Sequence, residues 1–138
     1  MFATEDPTLL AFGWGTIATW WVGLMLGVPL SLVARVGSRP KLGAGDLWKP
    51  VGLLLAGMAV VSLLTGLAGF WSAKSGRAAM PSWIESRIAP EKHVAFIAVW
   101  WAHQAAYDVG FLGGLALWIW VWIKRWRFAR FERGDREA

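Results

Sequence analysis

Residues 93–123 read HVAFIAVWWAHQAAYDVGFLGGLALWIWVWI, an apolar run interrupted by a histidine, a glutamine, a tyrosine and an aspartate near its middle. The reading of this stretch decides the fold. It exceeds the roughly 20 residues that a helix needs to cross a bilayer. Within lipid, only a helix or a closed barrel satisfies its own backbone groups, and no alternation of period two supports a barrel. The stretch therefore reads as a transmembrane helix.

Two further runs of the same kind precede it, at about 9–34 and 50–73. The sequence thus predicts an all-α integral membrane protein, a single domain of three transmembrane helices. Composition agrees, since hydrophobic residues make up 57% and charged residues 17%, against roughly 25% charged in soluble domains. A soluble chain of 138 residues could not hide that much apolar surface. The first run is not read as a cleaved signal peptide, because Glu5 and Asp6 stand where a basic leader region belongs. Gly27 and Pro29 predict a bend in the first helix.

Between the second and third runs, MPSWIESRI (80–88) carries Ser82 and, three positions on, Glu85, which is a capping-box pattern. It predicts a short interfacial helix over about 82–89, with Trp83, Ile84 and Ile88 toward lipid. Pro90 and Glu91 then suit the start of the third spanning helix. That helix is expected to run on past the membrane at both ends, into a basic tail at 124–138.

Charge sets the orientation. Arg35, Arg39, Lys41 and Lys49 lie in the first loop, and Lys124, Arg125, Arg127, Arg130, Arg133 and Arg136 lie in the tail. Both fall on one side of a three-helix chain. The other side holds Lys74, Arg77, Arg87 and Lys92, and nothing basic ahead of the first helix. The positive-inside bias predicts an external N-terminus and a cytoplasmic C-terminus, in a bacterial inner membrane. Twelve tryptophans cluster near the ends of the apolar runs. Trp118, Trp122 and Trp126, with Arg125 and Arg127, are predicted as interface anchors, the arginines meeting anionic lipid. No nucleic-acid module accompanies the basic tail, so it is not read as binding nucleic acid.

Within the third run, Ala102, Ala106, Gly110 and Gly114 form a ridge of small residues expected to admit another helix, as do Gly23 and Gly27 in the first run. His103 and Tyr107 lie beside that ridge, and Gln104 and Asp108 one strip further round. The four make the candidate intramembrane polar site, and they are expected to border a packing surface rather than hydrocarbon. Val94, Ala98, Ala105, Val109, Leu112 and Ala116 are assigned to lipid. No lysine or arginine lies at membrane depth in any run. Asp108 must then be neutral, hydrogen-bonded, reached by water, or paired with something outside this chain.

These residue types fit several uses. They can join helices by hydrogen bonds, or serve a proton or ion path in an oligomer. His103 could also ligate a tetrapyrrole axially, but His93, on the same helix, cannot supply a second axial ligand. No cofactor and no metal is predicted. The chain has no cysteine, no nucleophile elbow, no zinc-binding HExxH and no phosphate loop, so an enzyme is not predicted. The favoured expectation is a non-catalytic accessory or assembly subunit of a larger membrane complex. Its partners are the bilayer and other membrane subunits or copies of itself. The alternative is a homo-oligomeric ion or proton channel, or small-solute transporter, using Asp108 and His103.

Overall fold

The computed structural model describes residues 6–137, and among them every regular element is helical. In chain order these are α1 (Pro7–Arg35), α2 (Ala44–Lys74), α3 (Ser82–Glu85) and α4 (His93–Glu137), with a 3-10 turn at Pro90–Lys92 leading into α4. Three of them are long and apolar enough to cross a membrane, so the protein is an all-α membrane protein. Their apolar side chains point outward: Leu53 is 76% exposed and none of the most apolar part of α2 is buried within the chain. Lipid is the solvent such surfaces require.

The helix ends follow from local chemistry. At the start of α1, the Asp6 carboxylate accepts a hydrogen bond from the Leu9 backbone N–H at 3.1 Å, which makes it the N-cap. The helix continues through Pro29 to Arg35. Two residues on, Gly37 takes φ +91°, a left-handed conformation that ends helices and that glycine adopts at little cost. α2 stops in the same manner. Gly76 has φ +72°, its N–H reaches the Ala73 carbonyl at 3.0 Å, and the Arg77 N–H reaches that of Ser72 at 2.9 Å, the paired bonds of a Schellman motif.

The interfacial helix is shorter than its predicted 82–89. α3 covers Ser82–Glu85, its N-cap is Pro81, and no side chain caps it, so the capping box does not form. The reason lies in the backbone. The Pro81 carbonyl already accepts the N–H groups of both Ile84 and Glu85 at 3.0 Å. Trp83 is nonetheless outward-facing at 65% exposure, with its ring 5.8 Å from that of Trp100.

By contrast, α4 is as long as the sequence implies. Its 45 residues measure about 67 Å at ~1.5 Å per residue, against a hydrocarbon thickness of about 30 Å. The chain divides into two compact units, one of Ala44–Leu117 and one comprising the chain up to Gly43 together with the part from Trp118 onward.

In the unit of Ala44–Leu117, α2 and the first part of α4 pack antiparallel over small residues. A Cβ placed on Gly66 would lie 3.1 Å from that of Ala102, one on Gly69 would lie 3.0 Å from Trp101 Cγ, and one on Gly110 would lie 3.0 Å from Met58 Cε. Of the ridge, Gly110 and Gly114 are buried and Ala102 and Ala106 half-buried, and Ala105 and Leu117 are buried as well. The burial of Ala105 differs from its expected place toward lipid, and the geometry explains the difference. Residues spaced by four drift about 40° per step around a helix of 3.6 residues per turn. One straight partner helix therefore cannot follow Ala102, Ala106, Gly110 and Gly114 alone, and α2 covers Ala105 and Gly113 as well. A Cβ placed on Gly23 or Gly27 would meet nothing within 4 Å among the described residues.

Candidate functional site in the fourth helix

The four polar residues of α4 resolve into two pairs, each spaced by four and hence neighbours on one helical face. The Gln104 amide donates a hydrogen bond from Nε2 to the Asp108 carboxylate at 3.1 Å. The His103 and Tyr107 rings meet edge to face, with centroids 4.4 Å apart and planes at 70°. His103 and Asp108 do not meet, consistent with the roughly 140° between positions five apart.

Their exposure differs from the expectation that they avoid the lipid side. His103, Gln104 and Asp108 are exposed and Tyr107 is half-buried. The cause is the drift described above. With α2 seated over Ala105, Gly110 and Gly113, the strip carrying residues 100, 104 and 108 turns outward.

Two clefts flank this strip. One, of about 310 Å³, is lined by Thr65, Trp100, Trp101, Gln104, Ala105 and Asp108. The other, of about 460 Å³, is lined by Phe96, Val99, Trp100, His103 and Gln104. Thr65 does not answer Asp108, because its hydroxyl bonds back to the carbonyls of Val61 and Ser62. Among the described residues, Gln104 is the hydrogen-bond partner that Asp108 has. The first cleft thus presents a carboxylate held by one amide, beside two indoles. The carboxylate can receive a cation by charge and by hydrogen bonding.

The five predicted interface anchors divide. Trp122 and Trp126 are exposed and each lies under a guanidinium, that of Arg39 at 4.3 Å and that of Arg130 at 3.5 Å from the ring centroid. Arg127 is exposed. Trp118 is half-buried and Arg125 is buried. Within the unit formed by α1 and the chain from Trp118 onward, Trp118 donates its indole N–H to the Leu26 carbonyl at 3.1 Å. Val121, one turn on, is fully buried.

Arg125 is only 3% exposed. Its guanidinium donates to the carbonyls of Pro40 at 2.8 Å, Val36 at 2.9 Å, Arg39 at 3.1 Å and, by its other terminal nitrogen, Val33. The last carbonyls of a helix have no partner within it and carry the negative end of its dipole. Here Val36 N–H serves Leu32, Arg125 serves Val33, and Leu42 N–H serves Ala34. The expected anionic-lipid contact of Arg125 is therefore replaced by a backbone cap on α1. The signal that could have found it is the row Trp118, Val121, Arg125, spaced by three and four on one face.

Other cation and indole neighbours mark the ends of α2. Lys49 lies 5.5 Å from the Trp48 ring and Lys74 lies 5.4 Å from that of Trp71. The two tryptophans are about 34 Å apart along the helix at ~1.5 Å per residue, close to the hydrocarbon thickness.

No family model matches the chain, and no solved structure matches it. Over 44 residues, 32% of this chain, it is 48% identical to Transmembrane protein 198 of Homo sapiens, and to the same extent to Transmembrane protein 198 of Mus musculus. The match covers 12% of the length of those proteins. The similarity agrees with residence in a membrane and carries no further role.

Proposed function

We propose that this chain is a non-catalytic accessory or assembly subunit of a larger membrane complex, engaged through the outward polar strip of α4. The observation that supports this reading most is the placement of Asp108. An ionisable group at membrane depth, exposed from its own chain and held by a single amide, is costly in hydrocarbon. Another subunit is the economical way to cover it. The small-residue ridge does not serve that purpose, since Gly110 and Gly114 are already buried in the chain.

Gentle solubilisation of native membranes, followed by tagged purification and native mass determination, tests the reading. Foreign subunits in fixed stoichiometry are expected. A homo-oligomer alone would overturn it in favour of a channel or carrier working through Asp108 and His103, and Asp108→Asn would then abolish transport while leaving assembly intact.

The proposed orientation is an external N-terminus and a cytoplasmic C-terminus in a bacterial inner membrane. The orientation, though not the kind of membrane, rests on the basic residues of the first loop and tail. Because the chain has no cysteine, single cysteines report topology cleanly. Ser75→Cys is expected to react with an impermeant maleimide in intact cells and Ser38→Cys only after permeabilisation. The opposite pattern would reverse the orientation.

A further inference from the structure

We infer that the partner of this surface is a transmembrane helix of a different protein carrying one lysine or arginine near its mid-span, received by Asp108 in the cleft that Trp100 and Trp101 also line. The inference rests on the accessory-subunit reading and names the chemistry of its partner.

The first argument is the depth of Asp108. The nearest cations along α4 are Lys92 and Lys124, each about 24 Å away along the axis at ~1.5 Å per residue. No lysine side chain bridges that distance. Ammonium groups of lipid heads lie at the membrane surface, as distant as those lysines.

The second argument excludes this chain as its own partner. Residues 7–34, 50–73 and 93–123 contain no lysine or arginine. A second copy crossing the same bilayer offers no lysine or arginine at the level of Asp108, its His103 lies five positions away and about 140° off the Asp108 strip, and a symmetric contact there would set carboxylate against carboxylate. A lysine or arginine at that depth has to come from a different chain.

The third argument is the shape and chemistry of the cleft. Trp100, Gln104 and Asp108 succeed one another at spacings of four, and Trp101 closes the side toward α2. Trp101 is fixed from behind, where its Cβ and Cγ abut Gly69. Gln104 donates one amide hydrogen to the carboxylate and leaves its remaining acceptor capacity for an incoming N–H. The cleft, of about 310 Å³, is shallow and open, which suits the tip of a side chain laid against it. The carboxylate favours a cation over a neutral group, and the indoles of Trp100 and Trp101 add aromatic surface to the same cleft.

The test uses the full chain in phosphatidylcholine vesicles with polyleucine transmembrane peptides, one all-leucine, one with a central lysine and one with a central aspartate. Energy transfer between labelled peptide and labelled chain reads association. The lysine peptide is expected to bind about tenfold more tightly than the all-leucine peptide, within the range of polar contacts between membrane helices. Asp108→Asn, which keeps the shape and the Gln104 contact, is expected to erase that difference. Asp108→Lys is expected to reverse the preference toward the aspartate peptide, which a merely structural role for the residue would not produce.

Equal binding of the lysine and all-leucine peptides to wild type, or a lysine preference that survives in Asp108→Asn, overturns the inference. It is also overturned if the lysine peptide fails while hexylamine quenches tryptophan fluorescence saturably in wild type and not in Asp108→Asn, because the cleft then takes a soluble amine. Foreign subunits retained by Asp108→Asn in native purification would keep the accessory reading while removing this partner. A lone homo-oligomer would remove the reading itself.

Discussion

Arg125→Ala is expected to destabilise the protein by about 3 kcal/mol or more, the largest loss of any single substitution in the tail. The guanidinium is 3% exposed and satisfies the carbonyls of Val33, Val36, Arg39 and Pro40. Truncation removes a cation from the negative end of α1 and leaves those acceptors in a site that water reaches poorly. Lysine keeps the charge, but a single ammonium cannot span the fan of carbonyls that the planar fork reaches. Arg125→Lys should recover less than half of the loss. Equilibrium unfolding of the purified protein in mixed micelles measures both, and Arg127→Ala, at an exposed neighbour, should stay within about 0.5 kcal/mol of wild type. If Arg125→Ala behaved like Arg127→Ala, the cap would have no energetic weight. Salt offers an independent check, since a buried cap is little screened and should persist at about 1 M ionic strength.

Arg125 also marks the limit of what this sequence discloses. Hydropathy alone locates the three spans, because lipid requires long apolar helices and the chain has no other means of satisfying its backbone there. It does not distinguish among Lys124, Arg125 and Arg127, which are alike in type and lie in one basic run. Only the angular position of Arg125, below Trp118 and Val121, aims it at α1. The same holds for the polar strip. The residue types at His103, Gln104, Tyr107 and Asp108 flag a site from sequence. Their outward placement depends on how α2 seats over Ala105 and Gly113, and spacing by four did not disclose that seat. Ser82 and Glu85 carried a capping pattern, but the Glu85 N–H that Ser82 would accept is already taken by the Pro81 carbonyl, a competition visible only with the backbone in place.

Gly69→Ala is expected to destabilise the α2 contact with α4 by about 1–2 kcal/mol, and Gly69→Leu by more. The added Cβ would meet Trp101 Cγ at 3.0 Å, Cβ at 3.1 Å and Cδ2 at 3.2 Å, atoms at the root of a large side chain that cannot swing aside. Gly113 gives the informative contrast. A Cβ there would come closer still to its neighbour, but that neighbour is a terminal methyl of Leu54, the far end of a flexible side chain. Rotation of Leu54 relieves the overlap, and alanine regains up to about 1 kcal/mol of helix propensity. Gly113→Ala should therefore be near neutral, the reverse of the order that raw proximity suggests. Combining Gly69→Ala with Trp101→Leu should recover much of the Gly69→Ala loss, a coupling that a double-mutant cycle in unfolding experiments reads directly. Independent, additive losses would mean that the two residues do not press on each other. Because Trp101 also lines the cleft beside Asp108, a displaced indole in Gly69→Ala should weaken capture of a lysine-bearing helix even where Asp108 is intact, linking the packing of α2 to the site it positions.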